Sequence, residues 1–466
     1  MLRFFYFELL RQKRGKFQLL LVGILCAIIA FSIYVHLTQQ KALEESQHYW
    51  NEKNKELWLS QPDRHPHRVS HYGYVSIRTL SPLNFIDPGV EPYTGNYLFL
   101  EAHKQNSTSI QSSSISPLTL RLGFPSVSNL FLFIWPLLII FIGYGSFSHD
   151  WESGRMTWTA SMGCRLKNLF YSKFLVFLFY TGLLLIVTLF VSTTLLWANE
   201  SLDFQLFTDL LLIILAFGFY SLIWVSIVLF ISYYSKNSLQ SLSRLLICWI
   251  ILIIVLPKLS VELTKWQYLT PKRAVFDSII DKEVHSVGDA HNPNDPYFAT
   301  FKKQTLEKFN VTKVEDLPVN WNGIVMAEGE RITSEIFQKH YQNLSNSFHS
   351  QDIFYNKFGY ISPYISFRNL LLKLTATDRA TSELFEVQAE NFRYSLIQEL
   401  NSLHRHEIKH KNDRGQKLSS DFWQQTPLFN YSIKRKNIEL STLLPIALWS
   451  IFIFVVNYFF SRKKIL

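Results

Sequence analysis

Apolar residues in this chain are collected into long runs, and polar stretches separate one run from the next. A helix of about twenty apolar residues is about 30 Å long, which is enough to cross the hydrocarbon core of a bilayer. The pattern therefore predicts six membrane-spanning helices, at residues 17–37, 129–147, 174–197, 208–233, 242–258 and 438–460. The fifth run is the shortest, because Pro257 and Lys258 end its apolar part. By length alone it also fits a buried or re-entrant helix.

The polar stretches predict folded parts outside the bilayer. Residues 38–128 carry Pro, Gly and Tyr at short intervals, which is typical of a small lobe of mixed structure. Residues 259–437 form the longest polar stretch, and the helical periodicity within it predicts a mainly α-helical domain. The predicted fold is an α-helical polytopic membrane protein. A mainly α domain lies between its fifth and sixth spans, and a smaller mixed lobe lies between its first and second.

Basic residues at the two ends predict the orientation. Within residues 1–16, aromatic and leucine side chains alternate with basic ones, which predicts an amphipathic helix in the headgroup region. Its basic residues are Arg3, Arg11, Lys13, Arg14 and Lys16. The first apolar run is too long for a secretory signal peptide, so we expect an uncleaved anchor. Because basic residues favour the cytoplasmic side, both termini, including the tail at residues 461–466, are predicted to be cytoplasmic and both polar lobes extracytoplasmic.

Composition narrows the function classes. The 466-residue chain is 48% hydrophobic and has a formal net charge of +10, which is spread along the chain and flanks the apolar runs. Membrane orientation explains this charge, so nucleic-acid binding is not predicted. Cys26, Cys164 and Cys248 lie outside the two long polar stretches, which excludes a disulfide framework there. The chain has no P-loop and the spans hold almost no ionisable residues, so energy for transport would come from a separate ATPase.

Residues 148–173, between the second and third predicted spans, form a short polar segment with both charge signs. Such a segment cannot lie in lipid, and its Arg and Lys content predicts the cytoplasmic side. Gly154 allows a sharp turn, and Glu152 just before it would favour a helix N-terminus. We interpret the segment as an interfacial helix that docks a soluble partner, and the alternative is a plain connection with solvated charges. The predicted docking residues are Asp150, Glu152, Ser153, Gly154, Arg155, Arg165, Lys167 and Lys173.

One catalytic pattern occurs, the H-E-x-x-H string that runs from His406 to His410. On one helix face such histidines bind zinc and the glutamate acts as a base, but a catalytic zinc needs a third protein ligand. No histidine follows His410, and the neighbouring Arg and Lys side chains would repel a cation. A solvated polar helix face is the alternative, and no metal site is predicted. His65, His67 and His71 form a looser group in a Pro-containing loop.

With these elements in place, the chain resembles the ABC-2 type permeases, the membrane subunits of ATP-binding-cassette exporters. The string F-E-L-L-R-Q-K-R-G-K at residues 7–16 resembles the interfacial helix of that family, and D-W-E-S-G at residues 150–154 resembles its acidic-x-Gly signature. Lys173 opens the third span where the family usually has Gly-Lys. Two positions depart from the family pattern, because Arg155 stands where Thr is usual and Ser172 where Gly is frequent.

The polar lobes indicate the subgroup. They resemble those of permeases with a large extracytoplasmic domain inserted before the last span, which are related to permeases linked to multicopper enzyme maturation. The strings S-P-L-N-F-I-D-P-G at residues 81–89 and F-L-E-A-H at residues 99–103 resemble the first outer loop. The strings L-P-V-N-W-N-G at residues 317–323, S-P at 362–363 and T-A-T-D at 375–378 resemble the insertion itself.

The resemblance implies an assembly. Residues 148–173 would be the coupling helix on which the ATPase docks. Two copies of an ABC ATP-binding subunit would hold ATP and Mg²⁺, and a second permease subunit would complete a homodimer or heterodimer. This chain itself would hold no cofactor and would not be an enzyme. The exporter would lie in the bacterial cytoplasmic (inner) membrane, with the outer domain facing a possible envelope protein.

Other function classes stay open. A membrane-anchored interaction or scaffold protein is favoured by the size of residues 259–437, which are long for a simple gate. A membrane-tethered zinc protease rests on His406 and His410 alone. A secondary transporter is disfavoured, because such carriers usually need ionisable groups near the middle of the membrane.

Overall fold

The computed structural model describes residues 5–6, 8–10, 17–108, 126–288, 290, 292, 294–425, 428–431, 433 and 438–462. The described part of the chain is mostly helical, and six of its helices are long and apolar enough to cross a membrane, which confirms the predicted class at that level. These helices are Phe17–Leu59, Val127–Glu152, Leu166–Ala198, Phe204–Tyr233, Ser238–Gln267 and Leu440–Arg462. The predicted interfacial basic residues, Arg3, Arg11, Lys13, Arg14 and Lys16, lie outside the described residues, as do positions 463–466.

The helix of the first span continues far beyond its apolar run, to Leu59. Its second half is held by buried polar contacts rather than by lipid. Gln47 Nε2 donates to the carbonyl of Arg78 at 3.2 Å, and Trp58 Nε1 donates to the carbonyl of Trp423 at 3.0 Å. The lobe predicted to begin at residue 38 therefore begins with more than twenty residues of this same helix.

The fifth span is one helix of thirty residues, although its apolar run is short and contains Pro257. Proline lacks an N–H and its ring clashes with the carbonyl four residues earlier, so it normally interrupts an α-helix. Here the turns before it, Ile250–Val255, are π-helical, and the wider hydrogen-bond spacing accommodates the ring. The same arrangement precedes Pro136 in the second span, where Leu130–Ile134 is π-helical.

The fourth span forms the centre of the bundle, because 67% of its apolar window is buried. It contacts the second span through Trp135 Nε1, which donates to Ser221 Oγ at 3.0 Å, and through Tyr220, whose hydroxyl donates to the carbonyl of Leu132 at 2.9 Å. It also contacts the third and sixth spans and the helix Pro363–Leu374. Spans one, five and six are peripheral, with 28%, 17% and 17% of their windows buried.

The remaining elements lie outside the spans. The helices are Pro66–Ser70, Glu91–Thr94, Arg155–Ser161, Arg273–Val287, Pro296–Lys308, Trp321–Lys357, Pro363–Leu374, Arg379–Glu407 and Asp421–Gln424, with 3-10 turns at Val314–Asp316, Phe358–Tyr360 and Asp413–Gly415. Strands Tyr74–Ile77 and Tyr97–Leu100 pair antiparallel, with Tyr74 opposite Leu100. The two longest of these helices, Trp321–Lys357 and Arg379–Glu407, pack along each other.

The first lobe (residues 38–108) and the large domain (residues 268–439) pack against each other at the end of the bundle opposite to residues 150–173. Arg64 and Leu418 form an antiparallel bridge between them. Gly89 lies so close to Thr377 that an added Cβ would meet its carbonyl oxygen at 2.2 Å, and its φ of +54° also favours glycine. Asp87, two residues earlier, pairs with Arg368 and accepts from Ser128 Oγ at the start of the second span. The two lobes and the bundle are thus joined by buried polar contacts.

Candidate functional site

The sequence predicted one interfacial helix over residues 148–173. In the structure the separate helix covers Arg155–Ser161, and the ends of the segment belong to the helices of the second and third spans. The second span continues to Glu152, and the chain reverses at Gly154, whose φ of +71° lies in the left-handed region. Helix Arg155–Ser161 follows, a second left-handed glycine comes at Gly163, and the third span begins at Leu166. No atom lies within 4 Å of a Cβ built on Gly154, so glycine is required there for its backbone conformation and not for space.

Helix Arg155–Ser161 is anchored on one side and exposed on the other. Met156 is 1% exposed and packs into the core of the bundle. Trp158 is 66% exposed, and Met162 just after the helix is 61% exposed. The predicted docking residues Arg155, Ser153, Arg165 and Lys167 are also exposed. The segment therefore presents an aromatic and basic surface to the surrounding solution, which is the composition of a protein-binding hot spot.

A buried ionic group lies under this helix. Lys173, in the third span and 2% exposed at its side chain, places Nζ 2.9 Å from Asp150 Oδ2 and 3.1 Å from Glu8 Oε1. Arg155 Nη2 lies 2.9 Å from the other Asp150 oxygen. Two cations therefore balance two carboxylates, which is the condition under which buried charges are tolerated. We call this set of residues, Glu8, Asp150, Arg155 and Lys173, the ionic group.

The ionic group joins parts of the chain that the sequence analysis treated separately. It connects the N-terminal segment, the end of the second span, the short helix and the start of the third span. Asp150, Arg155 and Lys173 were predicted to act in this loop, but Glu8 was not. The sequence could have indicated Glu8, because it is the single acidic residue among the first sixteen.

Glu152 lies at the same end of the bundle, but its contact differs from the predicted one. Its carboxylate accepts hydrogen bonds from the backbone N–H of Ser238 at 3.1 Å and from Ser238 Oγ at 2.8 Å. Ser238 begins the helix of the fifth span, so the carboxylate lies at the positive end of that helix dipole. The sequence analysis placed it at the N-terminus of the interfacial helix instead. Glu152 thus ties the second span to the fifth.

A cavity of about 880 Å³ adjoins this region. Phe17 and Leu21 of the first span and Phe141 of the second form its apolar wall, and Arg155 and Ser238 lie at its polar edge. The polar edge of the cavity is therefore formed by Arg155, which pairs with Asp150, and by Ser238, which donates to Glu152.

His406 and His410 of the H-E-x-x-H string do not lie on one helix face. The helix ends at Glu407, and His410 lies three residues beyond it, with Nε2 3.0 Å from the carbonyl of Val319. Exposed His406 accepts a hydrogen bond from Arg405 Nε at 3.0 Å. Among the described residues, neither His406 nor His410 belongs to a group of three side chains close enough to share a metal ion.

Other histidines meet where the two lobes join. Asp413 accepts from His65 Nε2 at 3.1 Å and from His404 Nε2 at 3.1 Å. Its carboxylate also accepts from the side-chain amides of Asn320 and Asn322. Burial raises the pKa of Asp413, but these hydrogen bonds outweigh it and the net pKa is lowered, so the carboxylate stays charged. The sequence grouped His65 with its neighbours in the first lobe and could not supply the partner 348 residues away.

Acid is expected to destabilise the junction through His65 and His404. Burial lowers the pKa of both imidazoles below the usual 6.5, so both are neutral in the folded protein. Below about pH 6.5 the unfolded chain binds protons that the folded chain does not, and stability falls towards the lower folded pKa. Between pH 7.5 and 5.5 the thermal midpoint of the native protein should therefore fall relative to that of His404→Gln. Burial raises the pKa of Glu91 to about 7, so Glu91 alone would make the protein more stable as the pH falls. Glu91 is present in both proteins, so its effect cancels in this comparison.

Comparison with known proteins informs one part of the chain. A family described as a domain of unknown function, DUF3526, matches residues 276–432. No curated protein and no solved structure matches the chain. The matched residues include Arg393, His404 and Asp413 of the large domain, and they leave out all six helices that could cross a membrane.

Proposed function

We propose that the chain is the permease subunit of an ABC-2 type exporter in the bacterial cytoplasmic membrane, driven by ATP that a separate subunit hydrolyses. The observation that carries this proposal is the ionic group beneath helix Arg155–Ser161. A short exposed helix is suited to transmit a force when its Arg155 pairs with Asp150 of the second span and Asp150 pairs in turn with the buried Lys173 of the third span. A plain connection between spans needs neither the buried charges nor the exposed Trp158.

The proposed mechanism starts at this helix. Closure of the partner ATPase on ATP pushes on Trp158 and the basic side chains around it. Met156 and Arg155 carry the displacement into the bundle, and the Glu152 contact with Ser238 carries it to the fifth span. Because packed helices move as rigid elements, the spans tilt rather than deform, and a path opens beside them.

The assembly would hold two ATP-binding subunits with Mg-ATP and a second permease subunit, identical or related. The peripheral spans one, five and six leave most of their apolar surface for lipid or for that second permease. Both termini and helix Arg155–Ser161 lie on the cytoplasmic side in this proposal, and both lobes lie outside, where the large domain is placed to meet an envelope protein. The chain itself catalyses no reaction in this proposal, and ATP and Mg²⁺ are held by the partner subunits.

Trp158→Ala tests the docking surface. A central tryptophan of an interface typically contributes 2 kcal/mol or more, so the variant is expected to bind its ATPase about 30-fold more weakly. The protein would be purified from its native membrane in mild detergent, the co-purifying ATPase identified and quantified, and ATP hydrolysis measured. Trp50→Ala is the matched control, since Trp50 is 53% exposed on a helix at the opposite end of the bundle.

Trp158→Ala tests docking more specifically than Glu152→Lys does, because Glu152→Lys would also remove the internal contact with Ser238. Recovery of the native protein without an ATPase, together with envelope proteins, would overturn the transport proposal and favour the scaffold function. Equal ATPase recovery with Trp158→Ala and Trp50→Ala would place the docking surface elsewhere.

A further inference from the structure

We propose that His67, His71 and His103 form a binding site for a divalent transition-metal cation of the zinc class. One ring nitrogen from each residue lies within 4.8 Å of a nitrogen of the other two. Three imidazoles are a donor set that Zn²⁺ and its neighbours bind and that Mg²⁺ and Ca²⁺ avoid. We call these residues the histidine trio. The trio would bind the cation whether or not the chain couples to an ATPase.

The trio is assembled from two segments of the first lobe. His67 lies in helix Pro66–Ser70 and His71 follows it, so their spacing of four residues places both on one face. Their ring centroids are 4.6 Å apart. His103 comes from the loop after strand Tyr97–Leu100, and its ring lies 5.2 Å from that of His71. Nitrogens around a tetrahedral zinc are about 3.4 Å apart, so those of the trio, which lie within 4.8 Å of one another, would move closer together around the ion.

A buried carboxylate orients His103. Nδ1 of His103 lies 3.2 Å from Glu330 Oε2, and Glu330 is fully buried. Arg393 Nη1 lies 2.6 Å from the other oxygen of Glu330, and a carboxyl group paired with a guanidinium is held in its charged form. It therefore accepts the Nδ1 proton, and Nε2 carries the lone pair. Metal-binding histidines are commonly held by a carboxylate in this way.

The backbone of His103 is held in an uncommon conformation by the same carboxylate. Its φ of +62° is left-handed, which costs free energy for a residue with a side chain. The backbone N–H of His103 donates to Glu330 Oε2 at 2.9 Å, and Arg393 Nη1 fixes the other oxygen at 2.6 Å. Such conformations persist where surrounding contacts require them, and here the contacts aim the imidazole at its two neighbours.

The His65–Asp413 pair orients the other side of the trio. Nδ1 of His65 accepts the backbone N–H of His67 at 3.2 Å, so Nε2 must carry the proton that Asp413 accepts. Asp413 already accepts from His404 and from two asparagine amides, so its oxygens are used in hydrogen bonds. We therefore assign His65 a positioning role and not that of a ligand.

The trio is open on one side. His71 is exposed, and His67 and His103 are partly buried. A bound cation would keep a coordination position for water or for a ligand from solution, as in three-histidine zinc sites that bind small molecules. The trio lies outside the spans, beside the contact between the first lobe and the large domain, so a cation there would also strengthen that contact by binding only the folded state.

The test uses the full-length protein in detergent, purified with a tag that contains no histidine and stripped with EDTA. Zinc would be titrated against a fluorescent chelator, and bound metal would be counted by mass spectrometry. We expect one tight equivalent per chain. His71→Ala, which removes an exposed side chain, should weaken zinc binding more than about 100-fold, because losing a ligand costs more than losing an orienting group. His406→Ala is the matched control and should bind zinc as the native protein does.

Cobalt provides a second measurement that does not depend on a variant. Co²⁺ bound to three imidazoles and water is expected to give the intense visible bands of a four-coordinate ion, which His103→Gln should abolish. Failure of the native protein to bind zinc or cobalt would overturn the proposal. Unchanged zinc affinity in His71→Ala would also overturn it. Loss of binding in His406→Ala would overturn it too and would assign the metal to the H-E-x-x-H string.

Discussion

Replacing Arg393 by methionine is expected to lower the free energy of unfolding by about 3–5 kcal/mol, the range found when one partner of a buried ion pair is removed. The Arg393 side chain is 2% exposed and donates to Glu330, Glu390 and Ser334. It also donates to the carbonyl of Glu101 in the first lobe at 3.1 Å. Methionine fills much of the same volume, so the loss would come mainly from the carboxylates left without a cation.

The matched control for this variant is Arg331→Met in the neighbouring helix. Arg331 also pairs with two carboxylates, those of Glu328 and Glu335, but its side chain is 42% exposed. Surface pairs of this kind contribute about 0–1 kcal/mol, so the control should remain close to the native protein. Thermal unfolding followed by tryptophan fluorescence in detergent measures both. Similar midpoints for the two variants would contradict the assignment of Arg393 as the main polar contact of the large domain.

The pH dependence gives an independent readout of Arg393. Because the pKa of Glu330 is lowered to about 2 from the usual 4.5, its contribution to stability is complete above about pH 4.5 and is lost as the pH falls towards 2. Without Arg393 the folded pKa of Glu330 should rise and this loss should shrink. A native-like acid response in Arg393→Met would mean that His103 alone holds Glu330 in its charged form.

Replacing Lys173 by methionine is expected to have the second large effect, again about 3–5 kcal/mol in stability, together with loss of coupled ATP hydrolysis. The Lys173 ammonium lies between Asp150 and Glu8, and its removal leaves two carboxylates facing each other with one remaining cation, Arg155. Their repulsion should separate the N-terminal segment from the second span. In the proposed mechanism this breaks the connection through which helix Arg155–Ser161 moves the bundle.

Lys53→Met is the control for this variant, because the Lys53 ammonium also pairs with a carboxylate, that of Glu56, but its side chain is 41% exposed and lies at the opposite end of the bundle. A second comparison separates stability from coupling. Adding Asp150→Asn to Lys173→Met removes one of the two repelling charges, so part of the stability should return, while ATP hydrolysis should stay uncoupled. The thermal midpoint and the ATPase activity of the purified complex are the two measurements. Full activity in Lys173→Met would exclude the ionic group from force transmission.

The polar contacts on the two sides of the bundle are built in the same way. Each places a buried cation between carboxylates from separate segments, Lys173 at one end and Arg393 at the other. Buried charges add little net stability when they are complete but are costly when one is lost. Such groups therefore specify one arrangement of the segments that they join, and in this chain they join segments that carry the proposed docking helix and the histidine trio.

The sequence predicted several parts of this arrangement and missed others for a common reason. The loop at residues 148–173, its glycine turn and the residues Asp150, Arg155 and Lys173 were identified because charge between two apolar runs is a local signal. Glu152 was assigned to the wrong helix end, because its partner Ser238 is 86 residues away. His65, His67 and His71 were grouped by proximity in sequence, whereas His103 and the orienting carboxylates come from other segments.

The sequence by itself determined the helical class and the six helices that are long and apolar enough to cross a membrane, because the length of an apolar run and the thickness of a bilayer are sufficient to predict a crossing helix. Only the tertiary structure decided that the first span continues to Leu59 and that Glu8 completes the ionic group. It also decided that Glu330 contacts His103 and that Asp413 contacts His65. These features depend on which side chains meet when helices pack. That choice depends on shape and charge complementarity between residues far apart in the chain. The spacing of apolar residues along the sequence carries no information about it.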